Sequence, residues 1–201
     1  MEIRSEQDLR GRYGQPSERA VRKQMAVLDG HCRNFIARSP FLVLATAGAD
    51  GSADASPKGD APGFVAVLDE RTLLIPDRLG NNRIDGLRNV LENPRVGLIF
   101  FIPGVNETLR VNGRARITTD ERLLAPLAVR GKVPATGLIV ETEEVFLHCA
   151  KALMRSKLWE PDYKVERATL PSLGRMLADQ IGLDPVEADR VTEDGYKNRL
   201  Y

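Results

Sequence analysis

Between residues 41 and 117 short apolar runs of β type alternate with turns built from Gly, Asp, Asn and Pro. This punctuation limits the fold more than any other feature of the chain. FLVLATA (Phe41–Ala47) reads as a buried strand, and Gly48-Ala49-Asp50-Gly51 as a turn with the Asp-Gly hairpin signature. Residues 52–56 should return as a second strand and break at Pro57-Lys58-Gly59-Asp60. Further strands are expected over 64–68, 72–75, 96–102 and 108–117, then over 137–141 and 144–149 beyond a loop at Pro134. The run TLRVNGRARI alternates polar with apolar, as a half-exposed strand does, and its Gly113 predicts a bulge or a close backbone approach. Strands this short with turns this tight argue for an antiparallel sheet or barrel over βαβ units.

The centre of the region is IPDRLGNNRIDGLRNVLENPRVGLIFFIPG, residues 75–104. A strand ends at Pro76, and a polar turn follows with two arginines, Arg78 and Arg83. A helix is expected over 84–92, stopping at Asn93-Pro94, because proline lacks an N–H and biases its predecessor out of the α region. Free N–H groups at a helix start, the positive end of its dipole and guanidinium forks together suit a phosphate.

Helices are expected at both ends. Residues 2–12 suggest a short one ending near Gly14, and Pro16 opens another. Val21, Met25, Leu28, Cys32, Phe35 and Ile36 recur at spacings of three and four, predicting one stripe on one helix that ends at Ser39-Pro40. Thr119-Asp120 should cap a helix over 121–129, residues 150–159 read as partly helical and basic, and residues 170–181 as a helix ended by Gly182. The polar tail from Pro185 reads as helix and then extended chain. The chain is therefore expected to be one structural domain: helical extensions over 1–40 and 161–201 around a β core over 41–160.

With 29 Lys and Arg against 28 Asp and Glu, no bulk field draws this chain to nucleic acid or membrane, and its arginines act locally. No apolar run approaches the roughly 20 residues of a membrane span, and the opening MEIRSEQDLRGRYG is unlike a signal peptide. Cys32 and Cys149 are far apart, so reduced thiols in a cytoplasmic setting are expected. His31 and His148 are the only histidines, which with two separated cysteines makes a zinc site improbable. No nucleophile motif or dinucleotide fingerprint is present, and no catalytic residue is nominated. The cations do form a pattern. Lys58, Arg78 and Arg83 with Asn81 and Asn82 sit on turns bordering one small sheet, Arg110 on the strand after the loop, and Lys151, Arg155 and Lys157 near Trp159. An anionic ligand, its heterocycle lying along the sheet near Thr108 or Arg110, accounts for that placement better than scattered surface charge.

The order strand, IPDRLGNNR, helix, ENPRVGLIFF, loop, TLRVNGRARI resembles the FMN-binding core of the pyridoxamine 5'-phosphate oxidase-like split-barrel flavoproteins. FLVLATAGADGSADASPKGD is similar to that family's opening hairpin, and SPKGD, GNNR and HCAKALMRSKLW match a bacterial subgroup most closely. The resemblance covers residues 41–159. It implies a mainly β fold with flanking helices: a six-stranded antiparallel split β-barrel, paired into a homodimer with FMN between subunits.

Carried over by position, the resemblance implies that the segment Ser56 to Ala61, with Ser56, Pro57, Lys58 and Gly59 foremost, lines the flavin, with Asp77 and Arg78 beside it. Asn81, Asn82 and Arg83 fall in the phosphate-gripping turn. Thr108 falls where these oxidases often place a glutamine near the ring, and Lys58 or Arg110 would face N1 and O2 of the flavin. Arg155 and Trp159 would reach a cofactor held mainly by the other subunit. The turn has Asn82-Arg83 where vitamin B6 oxidases carry an Arg-Lys pair, and residues 184–201 lack their arginine- and tryptophan-rich ending. The implied activity is therefore an FMN-dependent oxidoreductase of a small molecule other than a B6 vitamer. The alternatives are a non-catalytic flavin- or haem-binding module, His148 being the candidate axial ligand, and a reductase using deazaflavin (F420).

Overall fold

The computed structural model describes residues 2–201. Seven strands form one antiparallel sheet: β1 (Phe41–Ala47), β2 (Ala53–Gly59), β3 (Ala66–Val67), β4 (Thr72–Pro76), β5 (Arg95–Phe101), β6 (Thr108–Thr118) and β7 (Gly137–His148). Their order is β2-β1-β5-β6-β7-β4-β3, one strand more than expected. The rolled sheet is a split β-barrel with flanking helices. Side chains alternate across it. Leu42 and Leu44 of β1, Leu98 and Phe100 of β5, and Leu109 and Val111 of β6 point inward and are almost completely buried. Ile36, Cys32 and Phe35 of helix α3 (Gly30–Arg38) join the same core.

Several expected boundaries move, each for a physical reason. Strand β2 does not break at Pro57 but runs to Gly59, with Pro57 opposite Val43. It is an edge strand, so the missing proline N–H leaves no ladder partner unpaired. The expected strand over 64–68 shrinks to β3. The two strands expected over 137–149 are one, because β7 carries a bulge: Asn112 pairs with Glu144 but Gly113 with Thr142, leaving Glu143 as the extra residue.

The helix expected from Pro16 to Ser39 is broken. Helix α2 is only Glu18–Arg22, following α1 (Glu6–Tyr13), and α3 begins after the Asp29 cap, whose carboxylate accepts from Cys32 N–H. Between them Met25 exchanges backbone hydrogen bonds with Val145 as a short extra bridge on β7. Met25, Leu28, Cys32, Phe35 and Ile36 do pack on the core, the first two from a non-helical segment, but Val21 on α2 is exposed and does not.

Helix α4 (Asp85–Glu92) ends at Asn93 ahead of Pro94, as the sequence predicts. The helix after Asp120, α5 (Glu121–Leu124), gives way to a tighter turn at Ala125–Leu127, where Pro126 offers no N–H. Beyond α6 (Lys151–Ser156), α7 (Leu173–Ile181) and α8 (Pro185–Asn198) form a hairpin with Gly182 in the left-handed region at its turn. Both cysteines are free, Cys32 buried and Cys149 exposed. No helix among the described residues is long and apolar enough to cross a membrane.

Gly113 is the position where the sheet tolerates no side chain. A Cβ there would lie 2.0 Å from the carbonyl oxygen of Glu141. Gly113→Ala should therefore destabilise the protein by about 3 kcal/mol as the bulge is forced apart. Urea denaturation checks this; an unchanged midpoint would mean that the β6–β7 register differs in solution.

Candidate functional site

The edge strand β2 and the segment leaving β4 face each other across the split of the barrel. Two ion pairs bridge them: Lys58 Nζ lies 2.8 Å from Asp77 Oδ1, and Arg78 Nε lies 2.6 Å from Asp60 Oδ2. Both pairs join the strand-end segment SPKGD to the dipeptide Asp77-Arg78. Lys58 and Asp77 keep about a quarter of their side chains exposed, whereas Asp60 is 2 % exposed. Asp60 also accepts from the Tyr201 hydroxyl at 2.8 Å and from Ala61 N–H at 2.7 Å, and Arg78 donates to Leu127 O at 2.9 Å. Burial alone would raise the Asp60 carboxyl. The Ala61 N–H, the Tyr201 hydroxyl and the Arg78 guanidinium together outweigh it and hold the group below the usual carboxylate range.

The clasp closes one end of a groove of about 1120 Å³. Its lining comes from residues 54–58, 77–87 and 132–136, and from Tyr201. At the other end the turn 80–84 leads into α4. Asn82 and Ile84 both have positive φ, 59° and 53°. For a β-branched residue such as Ile84 this is strained backbone, which persists only where the surroundings enforce it. Ile84 is the N-cap of α4 and offers no capping side chain, so the first N–H groups of the helix keep their unpaired donors beside the groove. Gly86 in that first turn lines the groove wall, near Asp54 and Ser56. Arg83 is largely exposed and paired with Asp85 at 2.8 Å, and its own N–H is held by Asn81 Oδ1. Between the two ends the wall includes the apolar side chains of Leu44, Leu87 and Val133.

Of the residues nominated from sequence, Ser56, Pro57, Lys58, Asp77, Arg78, Asn81, Asn82 and Arg83 all line this groove. Gly59, Thr108, Arg110, Arg155 and Trp159 do not. Gly59 sits opposite Phe41 at the end of β2, and Thr108 is buried opposite His148. Arg110 lies with its guanidinium 5.1 Å from the Phe146 ring centre, on the sheet face turned away from the core. Trp159 donates its indole N–H to Val105 O at 2.9 Å, and Arg155 is exposed on α6. Sequence reasoning missed Lys132, Tyr201 and the anchoring role of Asp60. Asp60 falls within the expected Ser56 to Ala61 segment, but its ties to Arg78 and Tyr201 are not local, and nothing local marks Lys132 or Tyr201.

His148 is outside the groove as well. Its Nδ1 is buried and has no hydrogen-bond partner. Burial lowers its pKa first, and the neighbouring Arg110 and Lys23 charges lower it further. Among the described residues no cluster of His, Cys, Asp and Glu could hold a metal ion.

The fold is thus a split antiparallel barrel whose opening holds a groove lined by charges of both signs. The model of the family described as pyridoxamine 5'-phosphate oxidase matches residues 28–149, more than half of the sequence, and the chain belongs to that family. Comparison with curated proteins returns no match. Among solved structures, HupZ from Group A Streptococcus is 22 % identical, covering 59 % of this chain and 92 % of HupZ with a TM-score of 0.48. The FAD binding protein from Mycobacterium smegmatis is 20 % identical over 62 % of this chain and 97 % of its own, with a TM-score of 0.43. Identities and scores this low leave the family assignment to the sequence match.

Asp60→Asn tests the clasp. Asp60 is held low in the folded state, so its stabilisation is present above its unfolded pKa of about 3.9 and fades as pH falls through the folded value. Removing the charge should cost about 3 kcal/mol at pH 7, because Arg78 loses its buried partner. The gap between wild type and variant should narrow below about pH 4. Denaturation curves at both pH values read the difference.

Proposed function

We propose that the groove holds FMN and that the chain is an FMN-dependent oxidoreductase acting on a small molecule. One observation carries this reading: a single groove joins an uncapped helix start with Arg83, past an apolar wall, to a lysine at the far end. A phosphate fits the first end, where the uncapped N–H groups of α4 point and the Arg83 guanidinium could exchange its exposed Asp85 pair for the phosphate. A planar ring fits beyond it, along the wall of Leu44, Leu87 and Val133 and toward the clasp, with Lys58 near its polar edge. Gly86 keeps the backbone of the helix start accessible where a side chain would intrude. Bound flavin supplies hydride or electron transfer. The protein's part is to bind and orient the ring, to exclude water with the apolar wall, and to place the Lys58 charge beside it. Membership of a family named for an oxidase agrees with this reading, and the absence of a nucleophile motif is natural for it.

We further propose that a second copy of the chain covers the outer sheet face. Phe41 and Val43 of β1, Ile99 and Phe101 of β5 and Phe146 of β7 lie on that face and remain partly exposed. Arg110 sits among them, over the Phe146 ring, so the partner would cover it as well. Ile99→Arg should convert a dimer to a monomer by placing a charge in the seam. Sedimentation velocity reads the outcome, and a wild-type monomer would sink the dimer proposal.

A haem reading draws on one feature, the unpartnered Nδ1 of His148. Two cations beside that histidine, and its position outside the groove, favour flavin. A deazaflavin remains compatible with the groove's open end. The deciding experiment is the visible spectrum of the purified protein after incubation with FMN, with titration of Arg83→Ala alongside. Two flavin bands are expected in the wild type. The variant should bind FMN more weakly, having lost a charge-assisted contact to the phosphate. A Soret band would replace the flavin reading with haem, and equal affinity in the variant would remove Arg83 from the phosphate site.

A further inference from the structure

Tyr201 enters the groove from a part of the chain far from the barrel, and the proposed function does not use it. Helices α7 and α8 pack chiefly on one another, Gly174 letting α7 come close against Ala188 and Asp189 of α8. A short segment after Asn198 then crosses to the split of the barrel. Residues 198–200 are exposed, yet Tyr201 is fixed from several sides. Its hydroxyl donates to Asp60, its carbonyl accepts from Lys132 Nζ, and its ring lies 6.0 Å from the Arg78 guanidinium and 5.3 Å from that of Arg130. The partners that hold it, Asp60 and Arg78, belong to the clasp. Tyr201 therefore stands at the end of the groove opposite the Asn81–Arg83 turn.

We propose that Tyr201 is a ligand-contacting residue whose ring forms part of the seat for the planar ring system. The inference rests on the flavin reading and assigns it a contact that the barrel alone does not supply. Lysine and arginine side chains at this end provide charge but no flat apolar surface. A phenol held through its hydroxyl by a buried carboxylate, with two guanidiniums within about 6 Å of its ring, is restricted to few orientations. An aromatic surface fixed in advance favours a planar ligand over a flexible one of equal charge. It also ties occupancy of the groove to the α7–α8 hairpin, because the segment carrying Tyr201 continues directly from α8.

The test compares wild type, Tyr201→Phe and Tyr201→Ala by flavin fluorescence titration with FMN and with riboflavin, which lacks the phosphate. Melting curves confirm that each variant is folded. Tyr201→Ala should bind both probes about ten-fold more weakly, since the loss is at the ring and not at the phosphate. Tyr201→Phe, which keeps the ring and loses only the Asp60 hydrogen bond, should stay within about three-fold of wild type. Hydrogen exchange gives an independent readout: FMN should slow exchange across Pro185–Asn198 in the wild type and not in Tyr201→Ala. If wild type and Tyr201→Ala bind equally, the assignment falls and the flavin reading stands. If Tyr201→Phe loses as much as Tyr201→Ala, the residue acts only through Asp60 and the ring contact is overturned. If the wild type takes up neither probe, the flavin reading fails and this assignment fails with it.

Discussion

The groove exists because two ion pairs, Lys58–Asp77 and Arg78–Asp60, hold the edge strand β2 against the segment leaving β4. An antiparallel sheet with two free edges has no intrinsic reason to keep them at a fixed separation. Backbone hydrogen bonding would either zip the edges together or leave them to drift. Side-chain bridges set an intermediate distance, wide enough for a cavity and too wide for a ladder. The two pairs are not equivalent. Lys58–Asp77 is partly solvated, and solvent screens much of its attraction. Asp60–Arg78 is largely withdrawn from water and satisfied by further donors, so its loss would strand a buried charge. The second pair anchors the split, and the first is free to rearrange.

The strand skeleton was legible because its signals are local. The bounds of β1 follow from one apolar run ended by a hairpin turn, those of α4 from Asn93-Pro94, and the bulge from Gly113 set in an alternating strand. What failed was the continuity of elements, where two readings share one pattern. The stripe from Val21 to Ile36 satisfies a helical period whether or not the helix is continuous, and only the Met25 bridge to Val145 shows the break. Pro57 looks like a strand terminator until β2 is known to lie at an edge. The polar ETEE stretch looks like a turn until its bulge is seen.

The site was legible in one half. The Asn81–Arg83 turn and SPKGD are contiguous motifs, and the fold brings them to one groove. Arg110 shows where such reading stops. Its side chain shares a sheet face with Ile99 and Phe146, opposite to Leu109 and Val111, so period-two alternation sends it away from the core. Tyr201 meets Asp60 across 141 positions of sequence. No periodicity, turn chemistry or motif encodes a contact of that range.

Every arginine and lysine drawn into the clasp or the phosphate turn already has a carboxylate of its own: Asp77 for Lys58, Asp60 for Arg78, Asp85 for Arg83. On the proposed function, the groove would therefore act as an ion exchanger rather than as a bare positive pocket. An arriving anion must displace an internal acid, and the three acids differ in how readily they let go. Asp85, partly exposed in the first turn of α4, keeps access to water when it lets go, whereas Asp60 is enclosed and does not. Charge transfer to a ligand thus begins at the α4 end and leaves the clasp intact, which keeps the width of the split independent of whether the groove is filled.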